Sequence, residues 1–223
     1  MSELNLILLG PPGAGKGTQA RRLAERYGLA IIATGDIFRE QIANGTPLGL
    51  QAKEFVDRGE YVPDKITTQM VLERLDEADA REGFILDGFP RTVPQAQALE
   101  NALAAAHRPL DAVLNFKISD AVAVKRLMGR LVCPNCKRTY NIEFKPPRVA
   151  GVCDVCGHDL VSRTDDDEAT IQHRLEVYHS QTKPLVLYFW ERGLLRDIES
   201  EAPEEVVADR TIEAIADLTE DYG

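Results

Sequence analysis

Gly10-Pro-Pro-Gly-Ala-Gly-Lys-Gly-Thr18 follows an apolar run at residues 4–9 and opens a helical pattern at residues 16–27. An apolar strand, a glycine-rich turn and a lysine at the start of a helix form a cradle for polyphosphate. Glycines adopt backbone conformations that other residues avoid, so successive N–H groups point at phosphate oxygens. The unpaired N–H groups at the helix start favour the same anion, and Lys16 adds a full charge. The motif therefore predicts phosphate binding by a P-loop rather than a plain turn.

The loop departs from the general pattern at one position. In G-x-x-x-x-G-K-[ST] the last hydroxyl reaches Mg²⁺, but here Gly17 takes that place and Thr18 follows one residue later. We therefore expect water and nucleotide oxygens to hold most of the Mg²⁺ shell. Residues 84–87 form a buried-looking strand that ends in Asp87. An Asp there orients Mg²⁺ or its waters in P-loop proteins, although alone it would equally suit a turn cap.

Composition places the chain among ordinary globular proteins. Its 223 residues fit one α/β core with insertions, and 44% are apolar and 28% charged. The net charge of −10 argues against a general nucleic-acid binder, which needs a basic face. The first residues lack a secretion signal, and the run at residues 4–9 is too short to span a bilayer. We expect a cytoplasmic protein with reduced thiols, no membrane partner and no nucleic-acid partner.

Short apolar runs alternate with helical patterns along the chain. The runs lie at residues 4–9, 29–33, 83–86, 112–118 and 194–198, and helical patterns lie near residues 16–27, 36–44, 48–58, 65–80, 94–106, 120–130, 168–192 and 203–218. This alternation predicts an α/β fold with a doubly wound five-stranded parallel sheet and helices on both faces. Residues 34–64 and 131–167 break the alternation and are expected to be two small inserted domains.

Four cysteines occur as two C-x-x-C pairs in the second insertion. Sixteen residues separate the pairs, which is the spacing of a tetrahedral Zn²⁺ site. Four thiolates fill the coordination shell, so the zinc is expected to be structural. Two disulfides are the alternative, which a reducing cytosol disfavours. A redox role would need one pair at a strand-to-helix turn. The predicted ligands are Cys133, Cys136, Cys153 and Cys156.

Six arginines lie beside glycines or at element ends, namely Arg39, Arg91, Arg126, Arg130, Arg163 and Arg174. For any one arginine, solvated surface charge is the commoner case. Arg126 and Arg130 are four residues apart and would share one face of a helix. That face could meet a phosphate as well as water, and spacing alone does not decide between them.

The motifs, taken in order, resemble the adenylate kinase family. The resemblance runs from the first strand to about Trp190, and the four-cysteine insertion resembles the zinc-bearing LID of long bacterial forms. It departs from the family at Glu199-Ser-Glu-Ala-Pro203, where an Asp-Gly stretch is usual. The matching motifs are Gly10 to Thr18, Thr34-Gly-Asp with Arg39, Asp87-Gly-Phe-Pro-Arg91 with Gln95, and Arg126-Leu-Met-Gly-Arg130.

The resemblance implies a role for each matching residue. Asp87 would act on magnesium through water, and the four cysteines would bind zinc. The implied ATP-binding residues are Gly13, Ala14, Gly15, Lys16, Gly17, Thr18, Arg126 and Arg130. The implied AMP-binding residues are Thr34, Gly35, Arg39, Val62, Gly88, Arg91, Gln95, Arg163 and Arg174. The implied catalytic residues are Lys16, Arg91, Arg126, Arg163 and Arg174.

The resemblance also implies the reaction ATP + AMP ⇌ 2 ADP with Mg²⁺, and a monomeric enzyme. The implied domains are a core at residues 1–33, 65–130 and 168–223, an AMP-binding insertion at residues 34–64, and a zinc-binding LID at residues 131–167. Three alternatives stay open at this point. They are a nucleoside monophosphate kinase with another acceptor or GTP as donor, a zinc-ribbon nucleic-acid binder that uses ATP as a switch, and a non-catalytic nucleotide-binding module.

Overall fold

The structure is a computed structural model that describes residues 3–220, and one parallel sheet forms its centre. The strands β1 to β4 and β7 make this sheet in the order β2-β3-β1-β4-β7, whereas β5 and β6 pair as a separate antiparallel hairpin. The predicted five-stranded parallel sheet is confirmed, with strand ends within one residue of expectation. The strands are β1 (Leu4–Leu9), β2 (Ala30–Ala33), β3 (Gly83–Asp87), β4 (Ala112–Lys117), β5 (Arg130–Val132), β6 (Thr139–Asn141) and β7 (Leu195–Glu199).

Helices cover both faces of the sheet. They are α1 (Lys16–Tyr27), α2 (Thr34–Ala43), α3 (Pro47–Asp57), α4 (Asp64–Leu75), α5 (Val93–Ala105), α6 (Asp120–Met128), α7 (Glu168–Val177), α8 (Pro184–Trp190) and α9 (Glu204–Glu213). Alternate residues of β1 supply the two apolar layers, because successive side chains of a strand point to opposite faces. Ile7 packs in the layer that α4, α5 and α8 cover, and Leu6 packs in the layer that α1 and α9 cover. Every residue of β1 is therefore buried, which explains why all of them except Asn5 are apolar.

The strand register brings three loops to one edge of the sheet. Asp87 at the end of β3 lies opposite Leu8 of β1 on one side and Ala33 of β2 on the other. Gly10 and Thr34 directly follow β1 and β2. Because the carboxyl ends of parallel strands meet at one edge, the phosphate loop, Thr34 and Asp87 converge there.

The helix expected over residues 168–192 is interrupted. Between α7 and α8 a π-helical turn spans Tyr178–Thr182, and α8 begins at Pro184. Pro184 has no backbone N–H, so the i→i−4 pattern cannot continue through it. Three other predicted helices are shorter than expected, since α4, α6 and α9 end at Leu75, Met128 and Glu213.

Both insertions have local structure of their own. Residues 34–64 contain α2 and α3, which pack against each other, and no strand from this stretch joins the sheet. Residues 131–167 contain most of the β5–β6 hairpin, together with isolated bridges from Val132 to Val161 and from Val152 to Asp159. Within residues 3–220, none of the helices has the length and apolar character needed to cross a membrane.

Candidate active site

The phosphate loop is held open by glycines that no other residue could replace without strain. Gly10 and Gly13 have φ angles of +140° and +84°. A Cβ atom on Gly10 would lie 2.5 Å from the carbonyl oxygen of Phe116, and one on Gly13 would lie 2.9 Å from that of Ala123. The loop therefore rests directly on the backbone of β4 and α6. Lys16 Nζ closes it by donating to the carbonyl oxygens of Gly10 at 2.7 Å and Pro11 at 2.8 Å.

Charges from three separate stretches of the chain surround Lys16. Burial lowers the pKa of Lys16 to about 8, Asp87 raises this pKa, and Arg91, Arg174 and Arg130 lower it further. These arginines lie far apart in sequence, on the loop after β3, on α7 and on β5. Fixed positive charges of this kind, partly removed from water, suit a ligand that carries several negative charges.

The absence of a hydroxyl at position 17 has a steric reason. A Cβ atom on Gly17 would lie 3.3 Å from Asp87 Oδ2, which is tighter than most contacts of a real Cβ. Glycine therefore lets the carboxylate of Asp87 approach the first turn of α1. Magnesium prefers oxygen ligands and keeps several waters, so the Asp87 carboxylate is the group here that would hold such a cation.

Arg91 is held in place beyond the end of β3. Its Nε donates to the Gly88 carbonyl oxygen at 2.7 Å, and Thr34 Oγ1 donates to the same oxygen at 2.9 Å. The Arg91 guanidinium lies 4.5 Å from the ring centroid of Tyr61, which is a favourable cation–π distance. Gly88 and Tyr61 therefore hold the guanidinium directly, and Thr34 shares the Gly88 carbonyl oxygen with it.

The π-helical turn supports the same arginine from the other side. Thr182 Oγ1 donates to the Arg91 carbonyl oxygen at 2.9 Å and lies 2.8 Å from the hydroxyl oxygen of Tyr61. Sequence reasoning missed both Thr182 and Tyr61. The available sequence signal was Pro184, which interrupts an otherwise helical pattern. π-Turns interrupt helices in the same way, and they often occur at functional sites.

Gln95 is buried in the first turn of α5, and both ends of its side-chain amide are hydrogen-bonded. Its Oε1 accepts from the Arg91 backbone N–H at 2.7 Å, and its Nε2 donates to Asp64 Oδ1 at 2.7 Å. Asp64 Oδ2 in turn accepts from Thr92 Oγ1 at 2.7 Å. Sequence reasoning named Gln95 but missed Asp64, since an acidic residue in the first turn of a helix is common.

Two carboxylates hold the arginines that enter the site from β5 and α7. Arg130 Nε donates to Asp166 Oδ2 at 2.7 Å, and Arg174 Nη1 donates to Asp165 Oδ2 at 2.9 Å. The side chain of Asp166 is only 3% exposed, and it also lies 3.5 Å from Arg174 Nη1. Sequence analysis named neither of these two carboxylates.

Arg163 and Arg39 extend the cluster toward α2. Burial lowers the pKa of Arg163 to about 10, with Arg130 and Arg39 lowering it further and Asp165 and Asp36 raising it. Arg39 Nη2 donates to Asp36 Oδ1 at 2.5 Å. Both insertions therefore contribute arginines to one field of positive charge.

The four cysteines come together at one point. Their Sγ atoms all lie within 4.8 Å of one another, and the distances from Cys133 to Cys156 and from Cys136 to Cys153 are 3.3 and 3.5 Å. A disulfide needs about 2 Å, so the disulfide alternative is wrong and all four thiols are free. A tetrahedral site with Zn–S bonds of about 2.3 Å needs sulfurs about 3.8 Å apart, which this cluster fits.

The two C-x-x-C pairs form matching turns. The N–H groups of Lys137 and Gly157 donate to the carbonyl oxygens of Cys133 and Cys153, at 3.0 and 2.9 Å. Lys137 and Gly157 both have positive φ angles, of 58° and 72°. Tyr140 adds support, because its Oη lies 3.4 Å from Cys153 Sγ and accepts from a backbone N–H. Such paired turns aim their sulfurs at one central atom.

Comparison with known proteins identifies the family. The family described as "Adenylate kinase" matches residues 8–194 of the chain. Curated adenylate kinases are similar over most of their length. One from Geobacillus sp. (strain WCH70) is 51% identical over 92% of this chain and 96% of the relative. One from Moorella thermoacetica is 52% identical over 88% of this chain and 90% of the relative. One from Acidothermus cellulolyticus is 48% identical over 95% of this chain and 98% of the relative.

The chain belongs to the adenylate kinase family. It is therefore an enzyme, an ATP:AMP phosphotransferase that moves the terminal phosphoryl group of Mg-ATP to AMP. Membership sets aside the alternatives of a nucleic-acid binder and a non-catalytic module.

In this adenylate kinase the predicted site residue Arg126 makes its contacts away from the arginines that surround Lys16. Arg126 Nη2 donates to the Ser200 carbonyl oxygen at 2.8 Å, and its guanidinium lies 5.9 Å from the ring centroid of Phe144. The expectation that Arg126 and Arg130 share a helix face is wrong, because α6 ends at Met128 and Arg130 begins β5. Burial lowers the pKa of Arg126.

The other predicted residues of the adenylate kinase site lie along the same sheet edge. Ala14 and Val62 are buried in the two apolar layers, so only their backbones are free to face a nucleotide. Gly35 allows close approach, since a Cβ atom there would lie 3.2 Å from Arg39 Nη2. Thr18 lies in α1 and lines a polar cavity of about 180 Å³ between α1, β6 and α9.

Proposed function

We propose that Lys16, Arg91, Arg130, Arg163 and Arg174 form a single phosphoryl-transfer site that holds ATP and AMP with their phosphates end to end. The observation that carries this proposal is the convergence of Arg91, Arg130 and Arg174 on Lys16, whose pKa is lowered to about 8 by burial first and by these arginines second. Such a cluster is unfavourable on its own. It becomes favourable when polyphosphate brings several negative charges between the cations.

The donor side of the site is the phosphate loop. We expect the backbone N–H groups of residues 13–18, together with Lys16, to bind the ATP phosphates. Arg126, which lies beside Phe144, is suited to contact the part of ATP that lies farther from the transferred phosphate. Mg²⁺ neutralises phosphate charge when it is bound with ATP, and Asp87 is the residue that would hold it, with Gly17 leaving room for the carboxylate.

The acceptor side lies between the ends of β2 and β3 and the first turn of α5. Arg91 and Arg39 would bind the AMP phosphate, because guanidinium groups form paired hydrogen bonds with phosphate oxygens. Thr34 and Gln95 offer neutral polar groups suited to an adenine ring. Gly35, Val62 and Gly88 would supply backbone and shape around that ring.

The reaction itself needs positioning rather than proton abstraction. The attacking group is an AMP phosphate oxygen, which is already mostly ionised at pH 7 because its second pKa is about 6. Catalysis then requires the two phosphates to lie in line and the developing charge to be matched by fixed cations. Arg130 and Arg174 are suited to this task, since phosphate oxygens would compete with Asp166 and Asp165 for the same donors.

Water must be excluded during transfer, and the two insertions are placed to do this. We assign residues 34–64 as an AMP-binding insertion, residues 131–167 as a LID, and residues 1–33, 65–130 and 168–223 as the core. The four cysteine thiolates would hold a structural Zn²⁺ in the LID, because a small segment without a large apolar core needs such a tie.

We expect ATP, AMP and ADP to be the only substrates and products, with no nucleic-acid or membrane partner. The net charge of −10 supports the first of these exclusions. A monomeric state and a cytoplasmic location stay predictions.

The test is a phosphotransfer assay that pairs ATP and GTP with AMP, GMP, CMP and UMP. We expect ATP and AMP to be the best pair. Lys16→Met should lower kcat by at least about a thousandfold, whereas Lys53→Met, which removes an exposed lysine of α3, should leave it unchanged. Near-normal turnover of Lys16→Met would overturn the proposed site.

A further inference from the structure

The side-chain amide of Gln95 is bound at both ends by groups with a fixed hydrogen-bonding sense. Its Oε1 faces the backbone N–H of Arg91, which can only donate, and its Nε2 faces Asp64 Oδ1, which as a carboxylate can only accept. If the amide turned over, a donor would face a donor and an acceptor would face an acceptor. Only one orientation of the amide is therefore satisfied, and Gln95 is 1% exposed, so water cannot compensate the other.

Asp64 is itself held firmly enough to impose this orientation. Its Oδ2 accepts from Thr92 Oγ1 at 2.7 Å, and that hydroxyl oxygen accepts from the Gln95 backbone N–H at 3.3 Å. The first residue of α4 and the N-cap of α5 thus form a closed hydrogen-bonded ring with Gln95. The Asp64 carboxylate uses one oxygen for Thr92 and the other for Gln95.

We infer that Asp64 is a specificity-determining positioning residue, which fixes the Gln95 amide so that the acceptor site reads an amino group at position 6 of the purine and rejects a carbonyl oxygen there. This inference rests on the proposed role of Gln95 at the acceptor base. The held amide keeps one free N–H and one free lone pair. Adenine offers a ring-nitrogen acceptor beside its N6 donor, whereas a 6-oxopurine offers an acceptor at that position.

The test compares AMP with inosine monophosphate as acceptors at saturating ATP. In Asp64→Asn the new side chain can donate as well as accept, so only the Arg91 backbone N–H still opposes the turned-over Gln95 amide. The ratio of kcat/KM for inosine monophosphate to kcat/KM for AMP should rise about tenfold, with the KM for ATP unchanged. Asp120→Asn is the matched control, because Asp120 also begins a helix and its carboxylate contacts His179 at the surface. Its ratio should equal that of the wild type.

Two more variants separate the ways in which the idea can fail. Thr92→Val keeps Asp64 but frees one of its carboxylate oxygens. It should therefore also raise the ratio of kcat/KM for inosine monophosphate to kcat/KM for AMP, by a smaller factor than Asp64→Asn. This variant tests the idea even if Asp64→Asn does not fold. Gln95→Leu should raise the KM for AMP and change the ratio. If Gln95→Leu changes the ratio but the Asp64 and Thr92 variants do not, Asp64 has no such role. If Gln95→Leu changes neither quantity, the proposed acceptor site is wrong as well.

Discussion

Replacing Lys16 by methionine should change how the free energy of unfolding depends on pH. Lys16 is partly buried, and its Nζ donates to two loop carbonyl oxygens. Burial nevertheless lowers its pKa from 10.5 to about 8, and Arg91, Arg174 and Arg130 lower it further. Keeping this lysine charged therefore destabilises the folded protein. Methionine removes that destabilising charge, and it also removes the two hydrogen bonds.

The magnitude of that cost follows from the pKa. Each pKa unit corresponds to about 1.4 kcal/mol, so keeping Lys16 charged below pH 8 costs the folded state about 3 kcal/mol. Because the folded pKa lies below the unfolded one, the unfolded chain binds more protons between pH 8 and 10.5. The wild type therefore gains stability with rising pH in this window. About 2 kcal/mol of this gain should appear between pH 7 and pH 9.5.

Urea unfolding of both proteins at pH 7, 8, 9 and 9.5 measures this effect. The free energy of unfolding of the wild type, minus that of Lys16→Met, should rise by about 2 kcal/mol across the series. Taking the difference cancels the titration of groups that the two proteins share. The matched variant Lys53→Met removes an exposed lysine and should give no such trend. Parallel curves for the wild type and Lys16→Met would refute the electrostatic reasoning about this site.

Three other outcomes are expected. Arg91→Ala should raise the KM for AMP by at least about tenfold and change the KM for ATP much less, since it removes charge-assisted bonds on the acceptor side alone; equal effects in steady-state kinetics would contradict this division. Metal removal with a chelator should lower the Tm and speed hydrogen exchange in residues 131–167, and an unchanged Tm after verified removal would count against structural zinc. Asp166→Asn should lower the free energy of unfolding by about 3 kcal/mol in urea titrations, because Arg130 loses a buried partner; a loss below about 1 kcal/mol would show that the pair contributes little.

The fold was largely predictable because its signals are local. Strands β1 to β4 are short, mostly apolar runs, whereas β7 carries three charged residues. The phosphate loop carries its own glycines and lysine. Helix lengths were less predictable. The periodicity of residues 168–192 continues through the π-helical turn, and only Pro184 marks the break. Arg130 was misjudged for the same reason, since apolar spacing does not reveal that α6 ends at Met128.

The amino-acid sequence by itself determined the sheet, the phosphate loop and the four zinc-type ligands, because each depends on residues that are neighbours in the chain or recur at a fixed spacing. Only the tertiary structure decided which arginines surround Lys16, which carboxylates hold them, and which way the Gln95 amide faces. Most of these facts depend on distances between residues far apart in the chain, such as Asp64 and Gln95, which are 31 positions apart, and Arg130 and Asp166, which are 36 apart. Electrostatic and hydrogen-bonding energies depend on such distances, and no local pattern records them.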